Sequence, residues 1–350
     1  MTKLPLPLRW AALFICFAFL AGFIYGIGKY VVPHTSAFDH AISNFLNPDQ
    51  YLLGFDELFR AITDYTNPLI SLPVISLAIA VGICRLATMP PKRAFLWGLL
   101  SSGLWALTMR FLHDPLDLSV NEALAFAAAA PVLLLVGAIP PRIFPALSAN
   151  RWVSILLALE FAVFLGMWLT HRLWWNTGLV GANYLFLLGL VAAFGGMVFA
   201  FTRMDHAAQG RYARLFWLVL LSILLTDMLA TETIKKKVAR PRPLSAKNAD
   251  WNAGLRPIPT ETLRGDNSFP SGHTSGTFAL LTPFFWWVRD RRARAGILLW
   301  AVLQGVSRVY TVAHFTTDCM AGALLGFGTA SLVFFLLGGP NLRAPEKQAA

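Results

Sequence analysis

The sequence predicts an all-α fold, a polytopic membrane helix bundle of about ten transmembrane helices. Composition is the first reason, since 56% of the 350 residues are hydrophobic and only 13% are charged, whereas soluble domains carry about 25% charged residues. The second is a mean hydropathy of +0.58. The third is that apolar runs of about 20 residues, the length that crosses the hydrocarbon core of a bilayer, recur along the chain.

The apolar runs predict helices near residues 10–32, 67–86, 94–111, 122–139, 152–170, 179–202, 214–234, 273–288, 296–311 and 315–337. The first follows Lys3 and Arg9 and lacks a small-residue cleavage site, so we interpret it as a retained helix and not as a signal peptide. Cys16, Cys84 and Cys319 fall in or beside apolar runs. No disulfide framework is therefore implied.

The net charge of +11 is distributed in a way that argues against nucleic acid as a partner. Basic residues concentrate in short loops, and two predicted helices separate each of these loops from the next, so all lie on one side. The positive-inside rule makes that side cytoplasmic, together with both termini. The predicted location is a bacterial inner membrane. The basic loops contain Arg85, Lys92 and Arg93; Arg142 and Arg151; Arg203, Arg211 and Arg214; Arg289, Arg291, Arg292 and Arg294; and Arg343 and Lys347.

The segment from Lys235 to His273 is also basic, although this topology puts it on the extracytoplasmic face. Its Pro, Gly, Asn and Asp content predicts a loop. Ordinary topology does not explain a cationic cluster there, which favours a role in binding. The alternative is a second cytoplasmic loop, with the helix count wrong by one.

Three cations, Lys235, Arg242 and Arg308, are predicted to meet at this face. Together with the backbone amides near Gly272 at a helix start, they suit a multiply charged tetrahedral anion, which indicates phosphate. The sequence therefore predicts a phosphate site at the mouths of several helices.

Two histidines, His273 and His314, are predicted at the same face. Phosphoryl transfer needs one group that attacks phosphorus and one that protonates the departing oxygen, and imidazoles can do both. Asp318 lies four residues after His314, and on the same face if that stretch is helical. A carboxylate there could hold the ring in the tautomer whose other nitrogen is free to attack.

Three motifs carry a family resemblance. They are K-x6-R-P at Lys235 to Pro243, P-S-G-H at Pro270 to His273, and S-R-x5-H-x3-D at Ser307 to Asp318. Together and in this order they resemble the signature of the phosphatidic acid phosphatase type 2 superfamily. The resemblance covers roughly residues 212 to 337, which is four helices of what in that family is a six-helix core.

The resemblance implies a role for each residue of the predicted site. His314 would be the nucleophile that forms a phosphohistidine, Asp318 would orient it, and His273 would be the general acid. The implied chemistry uses no metal and no cofactor, and no carboxylate cluster suitable for a metal stands out in the sequence. The implied phosphate-binding residues are Lys235, Arg242, Ser271, Gly272 and Arg308.

The chain is predicted to divide into three regions. Residues 1–150 form an N-terminal transmembrane region that is partly extra to the family core, residues 151–340 form the phosphatase core with the catalytic loop 235–273, and residues 341–350 form a cytoplasmic tail. Two placements of the extra helices stay open. Either the core begins at the N-terminus and helices three to six are an insertion, or helices five and six are core and the first four are appended.

The predicted function is hydrolysis of a lipid phosphomonoester or pyrophosphate at the extracytoplasmic face. The substrates implied by the family are phosphatidate, phosphatidylglycerophosphate, undecaprenyl pyrophosphate and lipid A. One alternative is a lipid-to-lipid phosphotransferase with the same site. The other is a lipid phosphate transporter or binder without turnover. The partners are the substrate and membrane lipids, and the sequence does not set the oligomeric state.

Three further groups of residues have open interpretations. Asp227, Thr231 and Lys235 share a helix face, so Asp227 could support the site, because intramembrane carboxylates are usually functional. The glycine pairs Gly272 and Gly276, and Gly322 and Gly326, have the spacing that permits close approach of helices. Finally, Lys236, Lys237 and Arg240 could capture a second phosphate or lipid headgroups, or could form an unspecific electrostatic anchor.

Overall fold

The computed structural model describes residues 4–47, 52, 54–56, 58–60, 62–63, 206–248, 250–251, 254–256, 258, 267–338 and 342. This part of the chain is helical and contains no strand, as the all-α prediction requires. The five spans predicted between residues 67 and 202 lie outside it, and so does Cys84. The count of about ten helices is therefore not confirmed.

The chain divides into two compact units. The first combines Met1–Ser71 with Trp217–Ala350, and the second is Leu72–Phe216. All three predicted motifs belong to the first unit.

The N-terminal segment forms one long helix followed by a short one. Helix α1 runs from Leu6 to Gly26 and continues through a π-helical turn, Ile27–Val31, and a 3₁₀ turn, Val32–His34. Helix α2, Ser36–Leu46, follows after Thr35. Large apolar side chains of α1 are exposed, with Phe19 at 79%, as expected for a helix surrounded by lipid.

A second long helix leads into the first motif. It comprises α3 (His206–Ile223), a π-helical stretch (Leu224–Thr231) and α4 (Glu232–Val238). It ends where Ala239 adopts a left-handed conformation with φ of 49°, and Pro241 follows. Both features are typical of a helix end. Lys235 therefore lies in the last turn, and Arg242 lies in the loop beyond it.

Three consecutive helices carry the other two motifs. Helix α5 is Gly272–Trp287, α6 is Arg291–Tyr310, and α7 is Thr316–Val333, which continues as a π-helical turn, Phe334–Gly338. Ser271 caps α5 and Asp290 caps α6, each by accepting a hydrogen bond from the first turn. At the start of α7, Asp318 accepts a hydrogen bond from the Phe315 amide at 3.1 Å.

Three helices within the described ranges are long and apolar enough to cross a membrane. They are Leu6–His34, Gly210–Val238 and Thr316–Gly338, and they match the spans predicted near 10–32, 214–234 and 315–337. The finding supports an integral membrane protein.

Close approach of α5 and α7 depends on glycine. A Cβ atom on Gly322 would lie 2.6 Å from the carbonyl oxygen of Ser271, and one on Gly326 would collide with the carbonyl oxygen of Ser275. The glycine-spacing prediction is confirmed for this pair. Because the two helices touch along their backbones, the start of α5 is held against the start of α7.

The N-terminal helices pack on the motif-bearing helices. Helix α1 contacts α7 and α4, and α2 contacts α6 and α7. These contacts join the N-terminal segment to the helices that carry the motifs, and both placements of the extra helices stay predictions. The domain boundaries at residues 150 and 340 stay predictions.

Candidate active site

The third motif is folded around the carbonyl group of Arg308. The backbone amides of Ala313 and His314 both donate to this oxygen, at 3.0 and 3.1 Å. The turn places His314 between the end of α6 and the start of α7, where its side chain is 1% exposed. The imidazole is therefore fixed by the loop and shielded from water.

The second motif is tied to the third by a backbone hydrogen bond. The amide of Ser271 donates to the carbonyl oxygen of Asp318 at 3.0 Å. The first motif is tied to the segment just before the second motif, because the Ser268 amide donates to the carbonyl oxygen of Arg240 at 2.8 Å. The three predicted motifs are thus brought together at one end of the helices.

Asp318 reaches the His314 ring chiefly through Ser268, a residue that the sequence analysis did not single out. The hydroxyl of Ser268 donates to Oδ2 of Asp318 in a short hydrogen bond and lies 3.2 Å from Nδ1 of His314. The direct distance from Nδ1 to Oδ2 is 3.5 Å, which is at the limit of a hydrogen bond.

With Asp318 ionised, this arrangement favours one tautomer of His314. A serine hydroxyl has a single hydrogen, and an ionised carboxylate can only accept. With that hydrogen directed to Asp318, the Ser268 oxygen is an acceptor toward the ring, so Nδ1 carries the proton. The lone pair is then on Nε2.

The three predicted cations surround His314. Burial, followed by the charges of Arg242, Arg308 and Lys235, holds the pKa of His314 well below its usual value. Arg308 is 1% exposed, and an Nη atom of Arg242 lies 3.4 Å from the carbonyl oxygen of Ala313. Burial also lowers the pKa of Arg242, an effect that Asp318 opposes. The cluster therefore keeps the imidazole neutral and the local potential positive.

His273 lies in the same cluster. It interacts electrostatically with Arg308, His314, Lys235 and Arg242. The two histidines are thus at the same end of the helices, which is the arrangement that the predicted site requires. We call these five residues, His273, His314, Lys235, Arg242 and Arg308, the histidine–cation site.

The start of α5 borders this site. The ammonium group of Lys235 lies only 3.0 Å from the position that a Cβ of Gly272 would occupy. It also contacts Glu232 at 3.2 Å. The hydroxyl of Ser271 is 3.0 Å from the Thr274 hydroxyl. Because the N-terminal end of a helix carries a partial positive charge and lies beside a lysine here, this corner suits an anion.

Arg240 is placed differently from its predicted role. Its guanidinium donates to Asp318 at 2.6 Å and to Asp39 of α2 at 2.8 Å. The interpretation as a lipid anchor or second phosphate site is corrected, because both ends of the guanidinium are engaged with buried carboxylates. Asp39 lies in the segment that follows the first predicted span and was not among the predicted site residues.

Asp227 lies beside α5, farther from the start of that helix than the histidine–cation site. Its Oδ1 accepts a hydrogen bond from Ser275 at 3.0 Å, and Ser275 lies 3.1 Å from the Thr231 hydroxyl. The predicted polar path along Asp227, Thr231 and Lys235 thus contains Ser275 as well. Asp227 contacts the helix that carries His273, so a supporting role stays a proposal.

A separate cluster fastens the loop between α4 and α5. The Asn47 side chain donates to the carbonyl oxygens of Arg256 and Tyr310 at 2.9 Å each, and accepts from the Arg256 amide at 2.8 Å. Arg256 makes two hydrogen bonds to Asp56, at 2.8 and 2.9 Å. This contact holds the pKa of Asp56 below its usual value. The loop is therefore joined to the N-terminal segment and to the end of α6.

The described ranges contain no group of three or more His, Cys, Asp and Glu side chains that could hold a metal ion. Metal independence nevertheless stays a prediction. The side chains that the site itself supplies are two imidazoles and three cations.

The fold and site define a helical membrane protein with a buried histidine–cation centre. Residues 215–339 match the model of the PAP2 superfamily. The predicted family resemblance is confirmed. A comparison with solved structures finds no match.

Three curated relatives align with part of the chain. The Arabidopsis thaliana protein named "Probable lipid phosphate phosphatase 4" is 35% identical over 140 residues, 32% of this chain and 44% of that protein. A protein of Bacteroides thetaiotaomicron named "Lipid A 4'-phosphatase" is 29% identical, over 34% of this chain and 52% of its own. "Phosphatidylglycerophosphatase B" of Bacillus subtilis is 28% identical, over 49% and 77%. The chain thus spans about half the length of the first two relatives.

Proposed function

We propose that the protein is an integral membrane phosphatase that hydrolyses a phosphomonoester or pyrophosphate of a lipid at the extracytoplasmic face. The observation that carries the proposal is the burial of His314, with a defined tautomer, among three cations from separate parts of the chain. The names of the three relatives support a lipid phosphate as substrate.

The cations bind the phosphate in this proposal. Lys235, Arg242 and Arg308 contact its non-bridging oxygens and stabilise the charge of the five-coordinate transition state. The Ser271 hydroxyl and the Gly272 amide add donors at the start of α5. Each such donor contributes a few kcal/mol in enzymes whose oxyanion contacts have been removed one at a time.

His314 is the nucleophile. Nδ1 is occupied by its contacts with Ser268 and Asp318, so Nε2 attacks phosphorus. The lowered pKa of His314 favours the neutral ring, whose lone pair is available at neutral and mildly acidic pH. The bond from phosphorus to the lipid oxygen breaks as the bond to Nε2 forms.

His273 is the general acid and base. In its protonated form it donates a proton to the departing lipid oxygen, which leaves as the alcohol. It then accepts a proton from the water that attacks the phosphohistidine, and inorganic phosphate leaves. The second step returns both imidazoles to their starting states, so no metal or cofactor is consumed.

The location of the site at the ends of long apolar helices suits a lipid. A headgroup phosphate can enter at this level while its acyl or prenyl chain stays among the helices or in the bilayer. The candidate substrates are phosphatidate, phosphatidylglycerophosphate, undecaprenyl pyrophosphate and lipid A.

The test is a phosphate-release assay of the purified protein in detergent against these four lipids. We expect release from at least one of them, inhibition by vanadate, which mimics five-coordinate phosphorus, and a loss of at least about 10³-fold in His314→Gln. The matched control is His34→Gln, because His34 is exposed at the end of the 3₁₀ turn Val32–His34, and it should keep wild-type activity.

The other outcomes identify the alternatives. Phosphate transferred to a second lipid and not to water would show a phosphotransferase. No release from any lipid, together with saturable binding of the same lipids, would show a binder or transporter. Unchanged release in His314→Gln would refute the assigned nucleophile.

A further inference from the structure

Arg240 connects two buried carboxylates that are distant in sequence. Its Nη1 donates to Oδ1 of Asp318 at 2.6 Å and its Nη2 donates to Oδ2 of Asp39 at 2.8 Å. The guanidinium also stacks on the Phe315 ring, 3.6 Å from the ring centroid. Stacking on one side and hydrogen bonds at both ends leave the side chain little freedom to turn.

Because these groups are buried, the loss of one of them would leave its partner without compensation. Both carboxylates are fully buried, and the Arg240 side chain is only 12% exposed. Removing one member of a buried, hydrogen-bonded ion pair leaves the other member uncompensated, whereas exposed pairs contribute little. The Asp39 and Asp318 carboxylates therefore depend on Arg240.

Asp39 is itself held by α7 and by the turn before α2. Its oxygens accept from the amide and the hydroxyl of Thr317, at 2.8 and 2.9 Å, and from the Thr35 hydroxyl at 3.0 Å. Thr317 also accepts a hydrogen bond from Arg240 at 2.9 Å. These contacts fix the start of α7 relative to α2.

The two oxygens of Asp318 face different partners. Oδ1 faces Arg240, whereas Oδ2 accepts from Ser268 and from the Phe315 amide. Since Ser268 contacts Nδ1 of His314, a continuous chain of polar contacts runs from Asp39 through Arg240, Asp318 and Ser268 to the imidazole. Within this series of polar contacts, Arg240 is linked to the His314 ring only through Asp318 and Ser268.

We propose that Arg240 is a positioning residue for His314, which acts by fixing the rotamer and the charge of Asp318, and that Asp39 of α2 fixes Arg240 in turn. The N-terminal segment is then part of the working active site. The inference rests on the proposed function, because it concerns the residue assigned as nucleophile.

The charges of Arg240 and Asp39 predict opposite effects on the protonation of His314. The ring faces Lys235, Arg242, Arg308 and His273 besides Asp318. Loss of the Arg240 cation makes protonation of His314 easier, whereas loss of the Asp39 anion makes it harder. A merely structural contact would not produce shifts of opposite sign.

The test compares Arg240→Gln and Asp39→Asn with the wild type over a pH series in the phosphate-release assay. For Arg240→Gln we expect kcat to fall about 10- to 100-fold, as for other residues that orient an active-site ligand, with KM little changed. The acid limb of its pH profile should move up by roughly 0.5 to 1 unit. The acid limb of Asp39→Asn should move down by less.

Two further variants separate positioning from folding. Arg240→Lys keeps the charge but loses the two-ended geometry, so it should lower kcat without moving the acid limb. Arg256→Gln is the matched control, because Arg256 also joins the catalytic loop to a carboxylate of the N-terminal segment, Asp56. It should lower thermal stability and leave the pH profile unchanged.

A substrate-free readout distinguishes failure of this inference from failure of the proposed function. The titration of His314 can be followed by NMR in protein with labelled histidine, with His314→Gln used for assignment. The same two shifts are expected whether or not any lipid is hydrolysed. Identical titration curves in the wild type, Arg240→Gln and Asp39→Asn, or equal loss of kcat in Arg256→Gln, would overturn the inference.

Discussion

Replacement of Gly322 by alanine tests whether the contact between α5 and α7 sets the geometry of the site. The added Cβ would lie 2.6 Å from the carbonyl oxygen of Ser271 and 3.3 Å from the amide nitrogen of Ser275, whereas ordinary contact begins at 3.4 Å. Both atoms are backbone atoms, so no side-chain rotation can relieve the overlap. The start of α5 must move away from α7 by roughly 0.8 Å, the difference between 2.6 and 3.4 Å.

That displacement acts directly on the site. The hydrogen bond from the Ser271 amide to the Asp318 carbonyl oxygen is 3.0 Å long, and lengthening by this amount would break it. His273 moves with α5, away from His314. A misplacement of about 1 Å can cost about 10²-fold in rate, and overpacking costs about 1–3 kcal/mol of stability. We expect both losses in Gly322→Ala.

The assays are phosphate release on the lipid that the wild type hydrolyses and thermal unfolding in detergent. Gly296→Ala on α6 is the matched control, because a Cβ there would meet nothing within 4 Å. It should keep full activity and gain up to about 1 kcal/mol from helix propensity. Wild-type activity and stability in Gly322→Ala would refute the reasoning that backbone contact of α5 and α7 aligns the histidines.

Three other outcomes are expected. Asn47→Ala should lower the free energy of unfolding by about 3 kcal/mol, because each of its three hydrogen bonds contributes about 1 kcal/mol. Chemical unfolding in detergent would measure this loss, and a change below about 0.5 kcal/mol would contradict the prediction. Because the pKa of His314 in the folded protein lies well below the ordinary imidazole value of about 6.5, kcat/KM should hold as pH falls through that value. Over the same range the free energy of unfolding should decrease, because only the unfolded state takes up the proton there; an acid limb at pH 6.5 or above would contradict this account. Asp227→Asn should lower kcat/KM less than about tenfold, since Asp227 hydrogen-bonds to Ser275 and interacts with Lys235 through charge. A loss of about 10²-fold would place it in the chemistry.

The residues of the histidine–cation site could be predicted from the sequence because their spacing within each motif is local. Arg308 and His314 are six residues apart and share a turn. The meeting of the motifs could be inferred from topology alone, since each borders a predicted helix at the same face. The structure places Lys235, His273 and His314 in one cluster, although their chemical roles stay proposals.

Ser268 and Asp39 could not be found in this way. Ser268 reaches Asp318 only because the segment before α5 folds back onto α7. Asp39 reaches Arg240 only because α2 packs against α7. A weak signal existed for each. Ser268 lies two residues before the P-S-G-H motif, and Asp39 belongs to an otherwise amphipathic helix in which Asp39 and Ser43 are both buried.

The role of Arg240 could not be predicted from the sequence for a different reason. The charge of Arg240 suits an anionic ligand as well as a carboxylate of the protein. Composition cannot distinguish a cation that faces lipid headgroups from one that is buried between Asp39 and Asp318. Only the packing of α2 against α7 decides it.

The most direct test of the central claim is to trap the covalent intermediate. The purified protein is mixed with a lipid substrate that carries a radioactive phosphate and is quenched within the first turnover. We expect an alkali-stable, acid-labile label on the wild-type protein, localised to the peptide that contains His314, and none on His314→Gln. Steady turnover without any trapped label, or equal labelling of the His314→Gln variant, would contradict the assignment of His314 as the residue that takes the phosphoryl group.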